Sequence, residues 1–174
     1  MPRRSQCGLT LIEAMITLLI MSIGLLGMAA LQMVGVQENA SAMRHTQAIW
    51  FASDMADRMR ANLNYGTPTV PVDPWNRADH YKGIDVSADS SKTGQTCGAA
   101  DNCNLSQMRN FDSDEWRALV LTLPSGRGTV TEGVDGRYYV RVMWKDDVRT
   151  GVKTTGCPSD PTIAETCVEI VVQP

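Results

Sequence analysis

The chain has 174 residues, 43% hydrophobic and 20% charged, with a formal net charge of −3. This composition excludes a disordered polymer, and the length fits one ordinary domain plus an additional segment. With no stripe of clustered Lys and Arg, the acidic balance argues against nucleic acid held by phosphate neutralisation.

Arg3 and Arg4 lead into an apolar run from Ser5 to Met33. Between Ala14 and Leu31 there is no charge, and only Thr17 and Ser22 are polar. At 1.5 Å per residue this stretch covers roughly 27 Å, close to the ~30 Å hydrocarbon core of a bilayer. A secretory signal has a shorter apolar core followed by a small-residue cleavage site, for which Ala29 and Ala30 are the candidates. Arg3 and Arg4 place the N-terminal end in the cytoplasm by the positive-inside rule. Glu13 stands out, because a carboxylate in lipid costs free energy unless it snorkels to the interface or finds a partner.

No proline occurs between Pro2 and Pro68, so the helical pattern runs on from about Thr10 to Asn62, roughly 80 Å at the standard rise. Past Gly35 it turns amphipathic: Ala48, Phe51, Ala52, Met55, Met59 and Leu63 recur at three- and four-residue steps. Asp54, Asp57, Arg58 and Arg60 take the other faces, and His45 reads as a solvated helix residue. Gly24 and Gly27 permit close helix approach and mark the flexible point of the membrane half.

From Gly66 to Asn102 the chain is rich in Pro, Gly, Ser, Thr and Asp and reads as an irregular segment. A helix is expected over about Asn104 to Leu123, with Leu105, Met108, Trp116, Leu119, Val120 and Leu123 on one face and Pro124 as its stop. Asp112 and Asp114 read as acids at a helix start. A turn at 124–128 follows. Strands are expected at Thr129–Glu132, Tyr138–Trp144 after the Asp135–Gly136 turn, and Cys167–Val172. Short connections make the sheet antiparallel, lying across the amphipathic half of the long helix.

Of the five cysteines, Cys7 precedes the apolar run, and Cys97, Cys103, Cys157 and Cys167 follow it, outside the cytoplasm, where disulfides persist. Two bridges with three possible connectivities result. Local pairing, Cys97–Cys103 and Cys157–Cys167, is the simplest and contributes about 2–4 kcal/mol per bridge. There is no CxxC spacing for zinc and no nucleophile, metalloprotease or phosphate-loop signature. Asp146 and Asp147 read as turn residues. No enzyme activity, cofactor or metal is expected.

The run Gly8-Leu9-Thr10-Leu11-Ile12-Glu13 resembles the class III leader junction of type IV pilins and type II secretion pseudopilins. "SIGLLGMAALQ", "DMADRMRAN", "DEWRALVLTLP" and "YYVRVMW" are most similar to the PilV-type minor pilins. The resemblance implies a pilin-like α+β fold: a long N-terminal helix packed on a head with a small antiparallel sheet and a short helix. It implies residues 1–8 as a leader that is removed, 9–33 as a transmembrane and filament-core helix, 34–63 as its amphipathic continuation, and 64–174 as a periplasmic head. A membrane peptidase would cut between Gly8 and Leu9 and methylate Leu9, which stands where the family usually has Phe. The Glu13 carboxylate would then pair with the new α-amine of a neighbouring subunit. As implied partners there are the major pilin, other minor pilins, a large tip adhesin and the prepilin peptidase. The location would be the inner membrane and then an extracellular pilus, and the role the priming of assembly for twitching motility and adhesion. A minor pseudopilin of type II secretion is the alternative; an adhesin or DNA-receptor head on a pilin anchor is a third possibility.

Overall fold

In the computed structural model, which describes residues 10–63, 81–98, 103–134, 136–145 and 166–173, the apolar run and the amphipathic stripe form one helix, α1 (Leu11–Leu63). Its two polar residues inside the apolar run turn back on the helix: Thr17 Oγ1 donates to the Ala14 carbonyl and Ser22 Oγ to that of Leu19, both at 2.8 Å. Each hydroxyl is thus satisfied without water, as an apolar surround requires. Helical geometry continues through Gly24 and Gly27.

The chain divides into two compact units, Met1–Ala40 and Ser41–Pro174, and α1 contributes to both. In the first unit every residue from Thr10 to Asn39 is exposed, including Leu11, Ile16, Leu19, Leu26 and Leu31. This part of α1 is long and apolar enough to cross a membrane.

The second unit is built on a four-stranded sheet of β1 (Ile84–Val86), β2 (Arg127–Glu132), β3 (Tyr138–Trp144) and β4 (Thr166–Val172). Spatial order follows chain order, and every pairing is antiparallel. The β2–β3 hairpin closes with the Gly133 N–H on the Arg137 carbonyl at 2.8 Å, and Gly136 supplies a left-handed φ of 73°. Alternation along β3 buries Tyr138, Val140, Val142 and Trp144. The core they join also contains Ala48, Ala52, Met55, Ala56 and Met59 of α1.

The second helix, α2 (Leu105–Val120), starts at a capping box. Asn104 Oδ1 accepts from the Gln107 N–H and Gln107 Oε1 from the Asn104 N–H, both at 2.9 Å, which satisfies two otherwise orphaned donors. It ends three residues short of the expected Leu123, because Leu121–Leu123 tighten into turns in which the Thr122 and Leu123 N–H groups reach carbonyls three residues back. Trp116 ties α2 to its neighbours. Its Nε1 donates to the Phe51 carbonyl of α1 at 2.8 Å, and its ring lies against Gly128 of β2, where an added Cβ would come within 2.4 Å of it.

Three expectations need correcting. The stretch from Gly66 to Asn102 is not wholly irregular, since β1 lies within it; a three-residue strand whose partners are over forty residues away leaves no local period to detect. Asp112 and Asp114 are not helix-start acids: α2 begins at Leu105, so both fall mid-helix, and Asp112 is buried at 5% exposure. His45 is half-buried rather than solvated, its ring edge-on to Trp144 with centroids 6.0 Å apart. Cys97 and Cys103 are disulfide-bonded. Cys167 is disulfide-bonded as well; Cys157, Asp146 and Asp147 lie outside the described residues.

Candidate functional site: the N-terminal junction and the centre of the head

Gly8 and Leu9 lie outside the described residues, which begin at Thr10, the second residue after the expected cleavage point. Thr10 opens α1: its carbonyl accepts from the Glu13 N–H at 3.1 Å and the Ala14 N–H at 3.3 Å. Glu13 therefore sits in the first helical turn, where the unpaired N–H groups and the helix dipole favour a negative charge. Among the described residues no side chain pairs with it. The junction thus presents an exposed carboxylate followed by a long charge-free helical surface.

Residues 3–29 match the family model of the prokaryotic N-terminal methylation motif. That match supports a leader of the class III, type IV pilin-like kind, and its residues include Gly8, Leu9 and Glu13. No curated protein and no solved structure matches the chain.

The head contains a polar centre that joins three segments of the chain. Asp112 of α2 accepts from the Tyr81 hydroxyl and, at 3.2 Å, from Arg58 Nη1 of α1. Arg58 Nε donates to Asp54 one turn back at 2.7 Å. Asn62 Nδ2 donates to the Tyr81 oxygen at 2.9 Å and to the Leu105 carbonyl at 3.3 Å. Burial pushes the Tyr81 pKa up, and its hydrogen bond to the Asp112 carboxylate pushes it further. Sequence reasoning placed Arg58 off the apolar face of the long helix, read Asp112 as a helix-start acid and assigned Tyr81 nothing. A usable signal was Asp112 itself, which falls four residues before Trp116 and so on the buried face. Every member of the centre connects to another member or to backbone, and among the described residues no group of three or more His, Cys, Asp or Glu could hold a metal ion. Its evident work is to clamp the end of α1 to α2.

A second clamp lies near the disulfide. The Asp114 carboxylate accepts from the Thr93 N–H at 2.9 Å, the Thr93 hydroxyl at 2.8 Å and the Gly94 N–H at 2.8 Å. Burial alone would raise its pKa, but the Thr93 and Gly94 donors outweigh it and hold the group below its ordinary 3.8. A depressed folded-state pKa gives stability that is present above the unfolded value and lost as pH falls through the folded one. The stability gap between wild type and Asp114→Asn is therefore expected to narrow from about pH 5 downward; urea unfolding across that range measures it.

Proposed function

We propose that the chain is a minor pilin, a structural subunit that waits in the inner membrane and then enters a type IV pilus, where it helps prime assembly. The observation that carries this is the methylation-motif match at residues 3–29 running directly into one uninterrupted, exposed apolar helix. Cleavage between Gly8 and Leu9, and methylation of Leu9, would leave a cationic α-amine in an apolar setting. Glu13 of an adjoining subunit neutralises that amine, since a buried charge is tolerated when paired and expensive when not. The same anchor serves a type II secretion pseudopilin, and the leader match is equally compatible with that system. Partners on this proposal are the major pilin, other minor pilins, the prepilin peptidase and a tip adhesin, with the head in the periplasm and later outside the cell.

Mass analysis of the mature protein tests the anchor. The expected N-terminus is Leu9, carrying one methyl group; a start near Ala30 overturns the proposal in favour of a cleaved secretory signal. Glu13→Ala is expected to leave the protein processed and membrane-bound while sharply reducing its recovery in sheared pili. Unchanged recovery would remove the role assigned to Glu13. Loss of surface pili on deletion, with exoenzyme secretion intact, separates the pilin from the pseudopilin.

A further inference from the structure

The Cys97–Cys103 bridge sits in a polar part of the head rather than in its core. Both cysteines are half-buried, and none of residues 87–98 is buried. That segment follows β1 and is fastened to α2 at two places besides the bridge. Arg117 Nε donates to Ser90 Oγ at 3.0 Å, and Arg117 Nη2 to the Ala88 carbonyl at 3.2 Å. The Asp114 carboxylate holds Thr93 and Gly94. At the start of α2 the capping box is made by Asn104 and Gln107, without either sulfur. The structure around the bridge thus has fastenings of its own, and opening the S–S bond leaves them in place.

The two sulfurs are not equivalent. Cys103 directly precedes Asn104, the N-cap of α2, whereas Cys97 lies in the non-helical segment. A helix N-terminus favours negative charge and stabilises a thiolate placed there. In thiol–disulfide exchange the more stable thiolate departs faster. Position in the chain therefore makes Cys103 the leaving group and Cys97 the sulfur that is attacked.

We propose that Cys97–Cys103 is a thiol–disulfide exchange site of the folded head, which takes a small thiol as a mixed disulfide on Cys97 and releases Cys103. The incoming thiolate attacks Cys97 Sγ. A new S–S bond forms as the Cys97–Cys103 bond breaks, and the electron pair of the broken bond leaves on Cys103 Sγ. One disulfide and one thiolate replace another such pair, so the step needs no oxidant or reductant. Re-attack of Cys103 on Cys97 expels the small thiol and restores the bridge. Asp114 and Arg117 keep the segment on α2 meanwhile, so closure is intramolecular and favoured by effective concentration.

Peptide mass mapping of the full-length chain in detergent tests this. Free thiols are first blocked with N-ethylmaleimide; the protein then meets glutathione briefly at neutral pH, and newly released thiols are trapped with iodoacetamide. The expected product carries glutathione on Cys97 and the iodoacetamide label on Cys103, about fivefold or more over the reverse, with far-ultraviolet dichroism unchanged. An adduct mainly on Cys103, or shared equally, overturns the assignment of roles. An adduct that appears only after urea has unfolded the head overturns the exchange site itself. Single variants give an independent readout: Cys103 in Cys97→Ser is expected to alkylate several-fold faster at about pH 6 than Cys97 in Cys103→Ser. Equal rates would remove the leaving-group preference on which the direction rests.

Discussion

Trp116→Ala is expected to destabilise the head by about 3–5 kcal/mol, the range for removing a buried aromatic side chain. Trp116 is fully buried, and its ring fills space between α2, the carbonyl of Phe51 on α1 and the bare backbone of Gly128 on β2. Removal leaves a cavity with backbone on two sides, and backbone collapses poorly into a void. Trp116→Phe separates the contributions, because it keeps much of the apolar area and loses the 2.8 Å hydrogen bond; about 1–3 kcal/mol is expected from that loss and the smaller ring together. Gly128→Ala approaches the same contact from the strand, forcing a methyl group into the ring, and should cost about 1–3 kcal/mol by overpacking. Urea unfolding of the detergent-solubilised chain, followed by tryptophan fluorescence and far-ultraviolet dichroism, measures all three. A Trp116→Ala variant within about 1 kcal/mol of wild type would contradict the packing described, since that is the range of an unremarkable surface change.

Asp112→Ala comes next, at about 2–4 kcal/mol. The substitution strands the buried Tyr81 hydroxyl and removes the inner partner of Arg58. An unpaired buried donor costs about 1–3 kcal/mol, and losing one member of a buried ion pair can cost more. Arg58 moderates the total, because its side chain is 26% exposed and keeps Asp54 as a partner. Arg58→Ala should accordingly cost less than Asp112→Ala. The raised Tyr81 pKa adds a pH signature. A group whose folded pKa lies above its unfolded value stabilises fully below the unfolded value, so that stability declines once pH passes the ordinary tyrosine value of about 10. In Tyr81→Phe this alkaline decline should be smaller. Equal declines in the two proteins would mean that Tyr81 is not buried against Asp112.

The long helix was readable because its period persists over many turns and no proline interrupts it. The three longer strands were readable because alternation and turn residues coincide, as at Tyr138–Trp144 after Gly136. At β1 that reasoning failed, since three residues hold too little pattern and its pairing with β2 is set by tertiary contact. It also failed at Asp112, read as a helix-start acid although its position on the helix pointed inward. Helical position was the better guide, because Tyr81 and Arg58, distant in sequence, supply the hydrogen bonds that make burial affordable. The leader was legible as a motif, and the methylation-motif match covers the residues that carry it. Position in a filament has no such local signature, because it depends on other chains.

The core takes Ala48, Ala52, Met55 and Met59 from the early part of the chain and Val140, Val142, Trp144 and Val172 from its last third. Synthesis therefore exposes the methionine and alanine face of α1 long before the strands that cover it exist. Between those moments the segment has nothing native to pack on, and exposed apolar surface of that kind invites aggregation. Folding of the head becomes a late, all-at-once event governed by contacts across most of the sequence, which are slow to form. A nascent chain interrupted before Thr166 would lack β4, the antiparallel partner of β3. Such truncated products should be rapidly degraded, and the interval before the last strand arrives is the time at which this protein most needs a holdase chaperone.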